Sequence, residues 1–277
     1  MAADLGPILI TGCSTGIGAA TAQHLAKKGH TVYATARRVE TLADSVAAGA
    51  RPLALDVTDE ASMSSAVEAV LGEHGRIGAL VNNAGYGEYG AIEDVSIDKV
   101  RKQFETNVFG LSRMCQLVLP SMRQAGTGRI VNIGSMGGRL TFPYGGYYHA
   151  TKHAVEALSD ALRYEVRPFG VKVVLIEPGL IATEFGNTVS HTLADTLEDE
   201  SPYAAGSKRM DAMIDGMYKN KLMSVGPIAI AKTVEKSLTR RRPHARYVTP
   251  VVTRGLIGTR MLMTPKAFDA MLRVVVR

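Results

Sequence analysis

Thr11-Gly12-Cys13-Ser14-Thr15-Gly16-Ile17-Gly18 follows the apolar run Ile8-Leu9-Ile10 and opens a segment of helical period, residues 17–28. In that position glycines permit a tight turn and let backbone N–H groups approach a pyrophosphate, while the N-terminus of the following helix adds partial positive charge. A Gly-rich turn can also simply close a strand–helix unit, so the surrounding pattern has to decide. The spacing is GxxxGxG, not GxGxxG.

Outward from this loop, short apolar runs alternate with longer helical stretches as far as Pro178, the pattern of repeated strand–helix units. Strands are predicted at 8–11, 31–35, 52–56, 79–82, 130–133 and 171–176, and helices at 17–28, 60–73, 99–122 and 148–167. Gly29, Gly75, Gly126 and Gly170 fall where those helices should end. The expected architecture is an α/β, doubly wound Rossmann fold with a mostly parallel sheet of about seven strands. After Pro178-Gly179 the rhythm changes. Residues 184–224 are polar, rich in Met and Asp/Glu, and read as a helical insertion after the sixth strand that contributes to substrate binding. Residues 227–239 return to helical period, 246–251 read as the last strand, and the basic, semi-apolar tail 254–277 fits no part of the alternation. With no internal repeat or linker, residues 1–277 read as one domain.

The end of the second strand bears on cofactor choice. An acidic residue there accepts from a ribose 2′-OH, whereas an arginine accommodates a 2′-phosphate. Here Val32-Tyr33-Ala34-Thr35-Ala36 runs into Arg37-Arg38, and guanidinium pairs well with phosphate, so the reading favours NADP(H) over NAD(H). Further on, Tyr148 precedes Lys152 by four residues, which puts both side chains on one helical face. A nearby cation favours the phenolate and is expected to lower the Tyr148 pKa toward a range useful for acid/base chemistry. Tyr147 lies roughly 140° around the helix from Lys152 and Tyr144 is too far along it, so both are expected to line a cavity or to pack. A Tyr-x-x-x-Lys match alone is common by chance, and its context must carry it.

That context resembles the short-chain dehydrogenase/reductase family, and within it the steroid- and retinol-dehydrogenase-like branch. The motifs occur in order: Thr11–Gly18, Asp56-Val57, Asn82-Asn83-Ala84-Gly85, Asn107, Ser135, Tyr148-His149-Ala150-Thr151-Lys152 and Pro178-Gly179. The resemblance implies that Ser135 holds the substrate oxygen and that Tyr148 exchanges a proton with it as hydride passes to or from the nicotinamide. It implies that Lys152 bonds the nicotinamide ribose and that Asn107 positions a proton-relaying water. Cofactor contacts are implied for Gly12, Ser14, Thr15, Gly16, Ile17 and Gly18, for Arg37 and Arg38, for Asp56 and Val57 near the adenine, and for Asn83, Ala84 and Gly85 beneath the ribose. They are implied also for Tyr148 and Lys152, for Pro178 and Gly179, and for Ile181 and Thr183 near the carboxamide. A homodimer or homotetramer formed through the two long helices is implied as well.

The bulk numbers fit this picture. Hydrophobic residues make up 46% and charged residues 21% of 277, an ordinary globular balance. A formal charge of +6 suits an anionic phosphate ligand or solubility, and a nucleic-acid partner is not expected. Cys13 and Cys115 match neither a metal nor a redox spacing. The N-terminus lacks a basic n-region and no run is long enough to span a membrane, so a cytoplasmic location is expected. In the tail, Leu256, Ile257, Met261 and Leu262 are interspersed with Arg254 and Arg260; packing on the domain is the preferred reading over peripheral membrane contact. The expected function is NADP(H)-dependent hydride transfer between the nicotinamide and a small-molecule carbonyl or secondary alcohol. The Val32–Arg37 strand, Ser201-Pro202-Tyr203 and Arg242–Tyr247 resemble the steroid/retinol-like branch and favour an apolar, lipid-like substrate. The alternative is a non-catalytic NADP-binding regulatory protein, against which the presence of Ser135, Tyr148 and Lys152 weighs. A long-branch epimerase would carry TGxxGxxG instead.

Overall fold

The computed structural model describes residues 5–195, 201–220 and 223–276. The alternating part of the chain runs β1 (Ile8–Ile10), α1 (Gly16–Lys27), β2 (Val32–Ala36), α2 (Ala43–Ala47), β3 (Arg51–Ala54), α3 (Glu60–His74), β4 (Ala79–Asn82), α4 (Ile97–Phe104), α5 (Leu111–Gln124), β5 (Gly128–Ile133), α6 (Gly146–Glu165) and β6 (Val171–Pro178). Beyond it lie β7 (Leu180–Ile181), α7 (Glu184–Asp195), α8 (Ala204–Lys219), β8 (Ser224–Val225), α9 (Pro227–Thr239), β9 (Arg246–Thr249), α10 (Val251–Leu262) and α11 (Pro265–Val276). Seven strands form one sheet in the order β3-β2-β1-β4-β5-β6-β9, and every pairing in it is parallel. This is the doubly wound sheet expected from the sequence.

Its central strands are apolar on both faces because helices cover both. In β1, Ile8 and Ile10 point to the side packed by Ala22 and Leu25 of α1 and by Ile230, Val234 and Leu238 of α9. Leu9 points the other way, into a core with Val67 and Val70 of α3, Met114 and Val118 of α5, and Val155 of α6. Period-two alternation thus feeds two cores from one three-residue strand. Burying each such aliphatic side chain contributes about 1.5–3 kcal/mol. β1 has β2 on one side and β4 on the other, so the chain reverses its direction of sheet growth there. Such a switch point leaves a crevice beyond the carboxyl ends of the strands.

The structure changes several sequence boundaries. The helix expected at 99–122 starts at Ile97 and is broken by a π-helical segment, Glu105–Gly110, between α4 and α5. A Cβ at Gly110 would collide with Val57, so this segment is pressed against the turn after β3. The insertion 184–224 is helical, as α7 and α8, but its last residue belongs to a two-stranded parallel pair, β7 with β8, that two-residue strands could not signal in the sequence. Residues 196–200 and 221–222 of that insertion lie outside the described residues, as does Arg277 of the tail. The last strand stops at Thr249, because Pro250 has no N–H for a ladder and caps α10. The tail, unassigned in sequence, is two helices, with Ile257 and Phe268 buried. Among the described residues no helix is long and apolar enough to cross a membrane.

Candidate active site

A cavity of about 850 Å³ opens at the carboxyl ends of the strands. Its floor is the β1–α1 turn. Gly12 and Gly16 hold φ of +71° and +61°, and a Cβ on Gly12 would stand 2.8 Å from the Ala84 backbone, so neither position suits an L side chain. Gly18 does not line the cavity: a Cβ there would collide with the Gly12 carbonyl and the Asn83 amide, and its role is to let helix and loop close up. Asn83 fastens the turn from behind, its Nδ2 donating to Thr11 O at 3.0 Å and Gly12 O at 2.9 Å, while Thr11 Oγ1 accepts from the Asn83 and Ala84 amides. Thr15, the N-cap of α1, makes no side-chain cap, which leaves the first N–H groups of that helix available to an anion.

The remaining wall follows the sheet outward. Arg37 and Arg38 are exposed at the rim just beyond buried Ala36, with Thr41 beside them. Asp56 is turned by its own loop, Oδ1 accepting from Thr58 N at 2.9 Å and Thr58 Oγ1 at 2.7 Å. Val57, Ala84, Gly85, Pro178, Gly179, Ile181 and Thr183 also face the cavity. A glycine cradle, an uncapped helix start and two free-standing guanidinium groups fit a phosphorylated dinucleotide.

Ser135, Tyr148 and Lys152 converge at the cavity's centre. Ser135 caps the 3₁₀ turn Met136–Gly138 just after β5, its Oγ accepting from Gly137 N at 3.0 Å. Tyr148 and Lys152 come from successive turns of α6, with the Lys152 Nζ 5.9 Å from the Tyr148 ring centroid. Burial pushes the Tyr148 phenol far above its ordinary value, opposed in part by a hydrogen bond with Ser135. The net lowering expected from Lys152 is absent here, for a physical reason. Burial holds the Lys152 ammonium down at about 8, and Nζ spends a hydrogen bond on the Ile133 carbonyl at 2.9 Å. Asn107, in the π-helical segment, sits behind the cavity and does not line it. Its Nδ2 donates to Tyr86 O at 2.8 Å and Thr151 Oγ1 at 3.1 Å, and its Oδ1 accepts from Tyr86 N at 3.0 Å. Both Asn107 Oδ1 and Lys152 Nζ border Gly85, lying 3.0 and 3.9 Å from where a Cβ would stand there.

Opposite the cradle the wall is apolar. Tyr89 and Phe185 flank the Tyr148 ring at 5.5 and 5.3 Å between centroids. Met210, Met213, Ile214 and Met217 line it from α8, at the i, i+3, i+4, i+7 spacing of one helical face, a signal legible in the Met-rich insertion. Sequence reasoning missed Tyr89, Phe142 and His149. His149 packs against Tyr148 and Phe142, donates from Nδ1 to Gly137 O at 3.1 Å, and is pushed down to about 4 by burial, so it is neutral at physiological pH. Tyr147 turns away and donates to the Ile92 carbonyl at 3.2 Å, as packing rather than chemistry requires.

Residues 7–194 match the family model described as short chain dehydrogenase. The chain belongs to the short-chain dehydrogenase/reductase family. This makes it an oxidoreductase of a family that uses nicotinamide cofactors. It is 40% identical over 246 residues, 88% of each chain, to a 3-ketodihydrosphingosine reductase of Bacteroides thetaiotaomicron. Among solved structures it is similar to a short-chain dehydrogenase from Streptomyces avermitilis, with 33% identity, a TM-score of 0.81, and 97% of this chain and 94% of that one covered. Similar dehydrogenases differ in cofactor. One from Burkholderia phymatum is in complex with NAD (25% identity, TM-score 0.78, coverage 91% and 92%), and a serine dehydrogenase is complexed with NADP+ (29%, 0.76, 89% and 95%). Family membership therefore leaves cofactor choice to the residues after β2.

Proposed function

We propose that this short-chain dehydrogenase/reductase is an NADP(H)-dependent oxidoreductase acting on an apolar, lipid-like ketone or secondary alcohol. The observation that carries it is the junction at Tyr148, where a polar cradle for a dinucleotide meets a wall of Tyr89, Phe185, Met210, Met213 and Met217. The reductase from Bacteroides thetaiotaomicron is named for a long-chain keto substrate, which agrees with that wall.

Bound NADPH would supply hydride. Gly12, Ser14, Thr15, Gly16 and Ile17 would hold its pyrophosphate, Arg37 and Arg38 its 2′-phosphate, Asp56 and Val57 its adenosine, and Asn83, Ala84, Gly85, Lys152, Pro178, Gly179, Ile181 and Thr183 its nicotinamide half. In the reducing direction Ser135 Oγ fixes the substrate oxygen and Tyr148 gives it a proton. The raised phenol pKa keeps that proton in place until a developing alkoxide draws it off. Lys152, poised near 8, would restore the proton and be recharged through a water that Asn107, next to it across Gly85, helps to position. The exposed Phe109 and Leu158, beside and on the two long helices, support a homo-oligomer through that face.

The test is to follow NADPH oxidation against a panel of ketones of increasing apolar size, including long-chain 3-keto bases, steroids and retinoids. Turnover should rise with apolar size. Tight NADPH binding with no turnover on any member would favour the regulatory alternative.

A further inference from the structure

The two C-terminal helices present more apolar surface than their packing uses. α10 rests on the domain through Thr253 and Ile257, and α11 through Phe268, each 7% exposed or less. Arg260 stacks over the Phe268 ring at 4.6 Å and joins the two helices. Their outer sides are open: Val251 is 75%, Met261 69% and Leu262 90% exposed, and Val252, Leu256 and Met271 are exposed too. At about 100° per residue, Val251, Gly255, Gly258, Thr259 and Leu262 share one arc of α10 on the side away from Ile257. No charged residue lies in that arc.

The charges around it are predominantly positive. Between residues 251 and 273 stand Arg254, Arg260, Lys266 and Arg273 against the single carboxylate of Asp269. A two-fold contact between copies through this face would set those cations against their own counterparts, whereas an anionic surface complements them. The position is also particular. α10 starts at the end of β9 where the cavity opens, and its Thr253 backs Gly179 so closely that a Cβ there would collide with it. α11 packs on α8, which carries the methionine wall of the cavity.

We propose that α10 and α11 together form a docking surface for an anionic lipid bilayer, set against the elements that line the cavity. Exposed Val251 and Leu262 enter the headgroup boundary while Arg254, Lys266 and Arg273 meet lipid phosphates. This does not depend on the proposed reaction, and the Tyr148→Phe protein should dock as well as the parent.

The experiment is cosedimentation of the full chain with phosphatidylcholine vesicles, with and without phosphatidylglycerol, alongside light scattering and thermal melting of the same samples. The parent should bind the anionic vesicles, release at high salt, and bind neutral ones weakly. Val251→Asp/Leu262→Asp and, independently, Arg254→Glu/Arg273→Glu should each cut the vesicle-bound fraction at least about tenfold with unchanged melting. Failure of the parent to bind anionic vesicles, or equal binding by the charge-reversed variant, would overturn the proposal. So would conversion of a parental oligomer to monomer by Val251→Asp/Leu262→Asp, which would assign the face to a second copy.

Discussion

Lys152 Nζ donates a 2.9 Å hydrogen bond to the carbonyl of Ile133, the last residue of β5. This one bond ties the helix bearing Tyr148 to the strand that delivers Ser135, and it is made by a group that burial has already forced toward neutrality. Holding a lysine there costs stability that the fold must recover elsewhere, a trade common where chemistry needs a buried charge.

Lys152→Met should therefore stabilise the protein while abolishing turnover. A lysine held at about 8 rather than 10.5 carries its penalty in full below pH 8, and the penalty fades as pH rises toward 10.5. We expect a gain of about 1–3 kcal/mol at neutral pH that shrinks in alkali. Urea unfolding of both proteins across that range checks it; a variant less stable than the parent at neutral pH would contradict the account.

Tyr148→Phe keeps the ring contacts with Tyr89 and Phe185 and removes only the hydroxyl. Turnover should fall by at least about two orders of magnitude, with NADPH affinity measured by fluorescence unchanged. A kcat within a few-fold of the parent would remove Tyr148 from its role.

Cofactor preference should follow Arg37. With Ala36 where a carboxylate would meet a ribose 2′-OH, charge-assisted bonds from Arg37, helped by Arg38, should favour NADP(H) by about ten- to a hundred-fold. Ala36→Asp with Arg37→Ser should reverse the ratio of kcat/KM for the two cofactors. Equal use of NAD(H) by the parent would refute the assignment.

A second buried cluster predicts an acid-side signature. Glu156 on α6 is raised to about 7 by burial and by the Glu177 carboxylate, against which Arg246 at 3.1 Å pulls down; Arg139 and Asp160 also face the cluster. The fold favours protonated Glu156, so this contribution is whole below 4.5 and lost as pH rises through about 7. Glu156→Gln should match the parent near pH 4.5 and exceed it near pH 8 in chemical denaturation, and the reverse order would show that Arg246 dominates instead.

An oligomer through the long helices should come apart when Phe109→Glu and Leu158→Glu are combined, both side chains being exposed in the single chain. Light scattering of parent and variant at micromolar concentration decides; a monomeric parent would defeat the expectation.

Order along the chain was enough to read the sheet, the Gly-rich turn after the first strand and the placing of Tyr148 and Lys152 on one helical face, because each is a local pattern: alternation sets strands, glycines set turns, and four residues make one helical turn. Only the tertiary structure decided what depends on segments far apart in sequence. It turned Asn107 behind the cavity by a π-helical segment pressed on Val57, and it brought Tyr89 from a loop to the Tyr148 ring. It also reversed the expected direction for the Tyr148 phenol, since desolvation comes from every neighbour at once while sequence spacing shows only the lysine. In the tail, local pattern could show apolar and basic residues together, but which of them faces water was fixed by where Ile257 and Phe268 found a core to enter.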